Sequence, residues 1–124
     1  MLVGILAGLA AGALWGLVFV APALAPGLAA VAHAETEMGT IDILVNNSGV
    51  STTQKLVDVT EDDYDFIFDT NVKGAFFVGQ EVGKRMLARA RGTAPGTFSG
   101  GRIINIASMA GLRVLPQIGV YCMS

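Results

Sequence analysis

The sequence predicts an α/β fold with parallel strands, preceded by an apolar helix. Two short runs, Ile41–Val45 and Arg102–Ala107, have the apolar composition of buried parallel strands. A helical pattern lies between them, from Thr60 to about Arg91. Strand, helix and strand in this order predict a right-handed βαβ unit. No Asp, Glu, Lys or Arg occurs in residues 1–32, so this apolar part is considered separately.

Length and composition limit the chain to one small domain. The 124 residues are 52% hydrophobic and 15% charged, which is enough for one core but not for two ordinary domains. A formal net charge of −2 gives no electrostatic reason to expect nucleic-acid binding. Because Cys122 is the single cysteine, an internal disulfide is excluded.

Residues 2–21 form an apolar run of about the length at which a helix crosses a bilayer. Glycine recurs at every fourth position, at residues 4, 8, 12 and 16, which places these glycines on one face of a helix. Such a face suits close packing between membrane helices. Pro22 and Pro26 are expected to end the segment. We therefore expect a membrane helix, weakly similar to the first helix of drug/metabolite-type transporters.

Two other interpretations of the apolar segment stay open. Ala32-His33-Ala34 resembles a signal-peptide cleavage site, although the basic start is missing and the apolar run exceeds the usual length of about 7–15 residues. A buried helix of a soluble protein is the second alternative. Gly4 and Gly8 do not begin a dinucleotide fingerprint, because Ala10 stands where the last glycine is needed and no acidic residue follows.

The charged part of the chain carries clear helix boundaries. Leu28–Met38 is expected to be an amphipathic helix that ends at Gly39. Thr60 is expected to cap the next helix, because acidic residues follow it near the positive end of the helix dipole. A break is expected near Thr70–Lys73, and Gly92–Gly101 has the composition of a loop.

Small polar residues follow both predicted strands. Asn46–Gly49 comes directly after the first strand and Ser108 after the second. Ligands of open α/β sheets bind at the carboxyl ends of the strands. The sequence therefore places a candidate site between these two segments.

Four segments together resemble the short-chain dehydrogenase/reductase family. Asn46–Gly49 is similar to its Asn-Asn-Ala-Gly motif, with Ser48 in the alanine position, and Asp69–Gly74 resembles the segment that carries its catalytic asparagine. Ile104–Ser108 resembles the strand that ends in the catalytic serine. Tyr121 follows that serine thirteen residues later, at the family spacing for the catalytic tyrosine.

The resemblance covers roughly residues 28–124 and implies a partial Rossmann-like, doubly wound parallel sheet. Residues 1–27 would form the apolar segment and residues 28–124 an incomplete dehydrogenase domain. The implied activity is hydride transfer between NAD or NADP and a small carbonyl or alcohol substrate. The family further implies a cytoplasmic protein and a possible homo-oligomer, or a membrane-associated one if residues 2–21 are genuine.

The resemblance also assigns site residues. Tyr121 would be the general acid/base, Ser108 would orient the substrate oxygen, and Asn71 would hold a water of the proton relay. Asn47, Ser48 and Gly49 would lie against the cofactor ribose together with Tyr121.

Each assignment has a structural alternative. Ser108 could cap a turn, Tyr121 could be a half-buried aromatic, and Asn47–Gly49 could form a plain turn. Asn71 could break the helix through side-chain bonds to the backbone, a role compatible with the catalytic one. No metal site is expected. The acidic residues near the start of this helix, such as Asp62, have no His or Cys beside them.

Two parts of the family pattern are missing from the sequence. The glycine-rich phosphate loop is absent, and the family lysine four residues after the tyrosine falls one position beyond Ser124. We therefore expect a fragment that is inactive and poorly folded alone. The alternatives are a membrane-anchored, non-catalytic interaction protein and an enzyme split across two chains.

Overall fold

The structure is a computed structural model that describes residues 17–19 and 24–124. Its strands and α-helices, in chain order, are β1 (Leu17–Phe19), α1 (Leu24–Met38), β2 (Ile43–Asn46), α2 (Glu61–Phe68), α3 (Ala75–Arg91), β3 (Arg102–Asn105) and α4 (Gly119–Met123). A π-helical turn, Asp69–Gly74, joins α2 to α3, and 3-10 turns occupy Leu56–Asp58 and Met109–Gly111.

The three strands form a parallel sheet in the order β1-β2-β3. Leu44 of β2 lies opposite Ile103 of β3, and Asn46 lies opposite Asn105 at the carboxyl ends. The predicted parallel pair is therefore confirmed. The predicted burial of the second strand is wrong, because β3 lies at the edge of the described sheet and all four of its residues are exposed. Both strands are shorter than predicted, although ladder bonding continues where the Ile106 N–H donates to the Asn46 carbonyl at 2.9 Å.

The predicted membrane helix is wrong where the structure describes it. Leu17–Phe19 is a strand paired in register with Ile43–Val45, and among the described residues no helix has the length and hydropathy to cross a bilayer. An apolar run bounded by turns fits a buried parallel strand as well as a helix, and pairing with β2 satisfies its backbone groups. Residues 2–16 and 20–21 lie outside the described part. Pro26, predicted to end the segment, lies in the first turn of α1, where a missing N–H is tolerated.

The core lies between β2 and two helices. Leu44 of β2 is fully buried. It packs in one cluster with side chains of α1 and α3 and with Ile41, which lies two residues before the strand. The buried members of this cluster are Val31, Ile41, Leu44, Val78, Val82 and Met86. Each such side chain contributes about 1.5–3 kcal/mol when it leaves water, so this cluster fixes α3 over the sheet.

Ion pairs on α3 reinforce the same packing. Arg85 pairs with Glu35 of α1 and, at 2.9 Å, with Glu81 one turn earlier. The Arg85 pKa is raised, mainly by its hydrogen bond to Glu35. Arg89 donates to Asp42 at 2.6 Å and lies over the Phe98 ring. These contacts join α3 to α1 and to the start of β2.

The predicted end of α1 and the predicted start of α2 are confirmed, whereas α1 begins at Leu24 and not at Leu28. Gly39 ends α1 with φ +82° and donates its N–H to the Glu35 carbonyl at 3.1 Å, a conformation that glycine adopts without strain. The Thr60 hydroxyl accepts from the Asp63 N–H at 3.2 Å, as a cap should. The predicted break coincides with the π-helical turn Asp69–Gly74.

Candidate active site

A cleft of about 360 Å³ opens at the carboxyl ends of β2 and β3. This is the edge of a parallel sheet where ligands bind. All six residues that the sequence predicts for the site line this cleft: Asn47, Ser48, Gly49, Asn71, Ser108 and Tyr121. The fold therefore brings together segments separated by up to 74 positions, from Asn47 to Tyr121.

A pair of asparagines joins the ends of the two strands beside the cleft. The Asn46 amide Nδ2 donates to Asn105 Oδ1 at 2.8 Å and to the Ala75 carbonyl at 3.3 Å. These bonds join the ends of β2 and β3 to the first residue of α3. The separation of the two strands beneath the site is thereby fixed.

Asn71 lies in the π-helical turn, and its carboxamide is fully engaged as a donor. Oδ1 accepts from the Val50 N–H at 2.8 Å, while Nδ2 donates to the Val50 carbonyl at 3.0 Å and to Ser124 Oγ at 2.8 Å. A π-type bulge inside a helix commonly marks a functional site. The predicted side-chain bonding to backbone is confirmed, but its partner is the loop after β2 and not the helix itself.

Gly49 lies where Asn71 and Tyr121 approach each other. A Cβ built at Gly49 would lie 3.9 Å from Asn71 Oδ1 and 3.9 Å from Tyr121 Cε2. Both are ordinary contact distances, so a larger side chain here would project between the amide and the phenol ring. Glycine at this position leaves that space unfilled.

Ser108 follows β3 and caps the 3-10 turn Met109–Gly111. Its Oγ accepts from the Ala110 N–H at 3.1 Å, so the predicted capping alternative is confirmed. A serine hydroxyl has one donor and two acceptor positions, and this bond uses one acceptor. The cap fixes the side chain in the cleft and leaves its O–H able to donate.

None of the described residues that line the cleft has a charged side chain. Amides, hydroxyls, a phenol and small apolar groups form its walls. Among the described residues, no three His, Cys, Asp or Glu side chains lie close enough to hold a metal ion. This lining suits an uncharged polar group, such as a ribose, a carboxamide or a carbonyl, held by hydrogen bonds.

Some lining residues were missed by the sequence prediction. Ser124 bonds to Asn71 and donates to the Tyr121 carbonyl at 3.0 Å, and Cys122 lies beside Tyr121 in the cleft. Ser124 is three residues after Tyr121, a spacing that places two side chains on one helix face. That spacing was the sequence signal from which Ser124 could have been predicted to lie in the cleft. Nothing local in the sequence indicates that Ile106 and Gly111 also line the cleft.

The parallel sheet, the helices packed on it and the cleft at its strand ends together define an α/β domain. The family model for short chain dehydrogenase matches residues 25–124. The chain therefore belongs to the short-chain dehydrogenase/reductase family.

Individual relatives agree with this assignment. The chain is 41% identical over 96 residues to galactitol 2-dehydrogenase of Agrobacterium fabrum, which covers 77% of the chain and 34% of that protein. It is 41% identical over 92 residues to sorbitol dehydrogenase of Cereibacter sphaeroides, covering 74% and 33%. The chain thus spans about a third of the length of these relatives.

A solved structure shows the same fold. The gluconate 5-dehydrogenase of Burkholderia cenocepacia, determined in complex with NADP and tartrate, superposes with a TM-score of 0.66. The two share 34% sequence identity over 81% of this chain and 36% of that one.

Proposed function

We propose that residues 28–124 form the catalytic part of an NAD(P)-dependent oxidoreductase that interconverts a small alcohol and its carbonyl. The observation that carries the proposal is the meeting of Gly49, Asn71, Ser108 and Tyr121 in one cleft. The relatives named as polyol and gluconate dehydrogenases support a small hydroxylated substrate.

The residues of the cleft fit the nicotinamide end of the cofactor. Gly49 leaves open the space that a Cβ would enter between Asn71 and Tyr121. Asn47 and Ser48 line the same wall, where amide and hydroxyl groups can bond to ribose hydroxyls. When bound, the nicotinamide cofactor exchanges a hydride with the substrate carbon.

In this proposal the protein moves one proton and orients one oxygen. Tyr121 donates a proton to the substrate oxygen during reduction and accepts it back during oxidation. The Ser108 O–H donates to the same oxygen, because its cap bond to Ala110 fixes the side chain without using the O–H. Asn71 positions both the β2 loop and α4, since its amide bonds are made to Val50 and Ser124.

Saturation-transfer NMR with nicotinamide mononucleotide tests the proposal on the 124-residue chain. We expect signal transfer to the nicotinamide and ribose protons, and loss of transfer in Gly49→Leu, whose side chain would fill the cleft. Gly92→Leu is the matched control, because Gly92 ends α3 and does not line the cleft. Equal transfer in Gly49→Leu and the unsubstituted chain would contradict the proposed site.

A further inference from the structure

Gln117 has a backbone conformation that side chains rarely adopt. Among the described residues it is the one non-glycine with positive φ, at +67°. Left-handed backbone at a residue with a side chain costs free energy and persists only where surrounding contacts hold it. Such strained positions cluster near functional sites. Gln117 lies four residues before Tyr121, just ahead of α4.

The contact that holds Gln117 comes from the loop after β2. The Gln54 N–H donates to the Gln117 carbonyl at 2.8 Å. The same loop begins at Val50, whose N–H and carbonyl both bond to the Asn71 carboxamide. A single short stretch of chain is therefore fixed to Asn71 at one end and to the start of α4 at the other.

A packing contact adds to this hydrogen bond. A Cβ built at Gly119, the first residue of α4, would lie 3.1 Å from Leu56 Cδ1. This is closer than most real Cβ contacts, so glycine permits Leu56 to press directly against the helix backbone. Leu56 itself is 66% exposed, and its contact with α4 is made at the edge of the fold.

The start of α4 has no side-chain cap. Its position therefore depends on contacts with the rest of the fold. Val120 of α4 is buried in the fold. Gln117 and Gly119, at the start of α4, contact the loop after β2.

We propose that residues 50–56 form a brace that sets the position of Tyr121 relative to Asn71, with Gln117 and Gly119 as positioning residues. The role of Tyr121 in this statement rests on the proposed function. The brace has two parts: the bond from Gln54 to the strained Gln117, and the contact of Leu56 with Gly119. Losing either part lets α4 shift away from Gly49, opening the gap between the phenol and the amide.

The test compares two substitutions of Gln117 in the full chain. Gln117→Gly keeps positive φ without strain, whereas Gln117→Val disfavours it because a β-branched side chain is a severe outlier there. The readout is the ring signals of Tyr121 in carbon-13 NMR. Tyr64 serves as the internal reference, since the chain has two tyrosines.

We expect Gln117→Val to move the Tyr121 signals toward their positions in the urea-unfolded chain, with Tyr64 unchanged. Gln117→Gly should leave both rings at their original positions. A Tyr121 signal that stays in place in a folded Gln117→Val chain overturns the brace. If that variant unfolds, Leu56→Ala decides, because this exposed side chain is outside the core: a displaced Tyr121 signal supports the brace and an unmoved one overturns it.

Failure of the brace and failure of the proposed function give different results. An unmoved Tyr121 ring refutes the brace, even if nicotinamide mononucleotide binds. A ring that moves as expected in a chain that binds no nicotinamide supports the brace and refutes the cofactor site.

Discussion

The carboxamide of Asn71 gives a quantitative prediction about the site. Asn71→Ala removes three hydrogen bonds, two to the backbone of Val50 and one to Ser124 Oγ, with lengths between 2.8 and 3.0 Å. Each such bond contributes about 0.5–1.5 kcal/mol net. Asn71 is half-buried, so water replaces part of the lost bonding. We expect the free energy of unfolding to fall by about 2–4 kcal/mol.

Urea unfolding followed by far-UV circular dichroism measures this loss. Ser124→Ala removes one of the three bonds and also the bond from Ser124 Oγ to the Tyr121 carbonyl, and should cost about 1–3 kcal/mol. Ser51→Ala is the control, because its hydroxyl bonds to the adjacent Thr52 carbonyl on the surface, and its cost should stay within about 0.5 kcal/mol. A cost for Asn71→Ala equal to that of Ser51→Ala would refute the positioning role of the amide.

Three further predictions concern the scaffold. Gly101→Ala should destabilise the fold by about 1–3 kcal/mol, measured by urea unfolding, because its Cβ would lie 2.9 Å from Cγ of the buried Met86. Leu44→Ala should cost about 2–5 kcal/mol in the same assay, because Leu44 is fully buried. The pKa of Asp63 is lowered from 3.8, first by the Thr60 hydroxyl and then by Gln54. The ionised carboxylate therefore stabilises the fold above that value and loses its effect as the pH falls through the lowered pKa. Asp63→Asn should lower the urea midpoint at neutral pH and leave it unchanged in strong acid; equal effects at both would contradict this assignment.

The elements that depend on local chemistry were predicted from sequence. Thr60 caps α2 and Gly39 ends α1 because the hydroxyl acceptor and the left-handed glycine act within one turn of chain. The π-helical turn at Asn71 was anticipated as a break, since an asparagine inside a helix competes for backbone partners. These features need no knowledge of distant contacts.

The strand Leu17–Phe19 was not predicted, because its conformation depends on a distant partner. Its residues belong to an apolar run whose periodicity fits a helix or a buried strand. Only pairing with Ile43–Val45 decides between them, and the sequence does not display that pairing.

The site shows the same division between local and distant information. Motif spacing placed six residues in one cleft, and the structure brings all six together. The bridge from Asn46 to Asn105 depends on strand register, and the contact of Gln54 with Gln117 depends on the path of a loop. Neither register nor loop path has a local sequence signal, so these supporting contacts were found only in the structure.

We propose that the cleft between β2 and β3 holds the nicotinamide end of a dinucleotide. Titration of the nitrogen-15-labelled chain with NADP is the decisive test of this site. We expect the amide signals of Gly49, Asn71 and Tyr121 to move together and to saturate. Movement confined to Arg85 and Arg89 of α3 would show only charge attraction to phosphate and would contradict the proposed site.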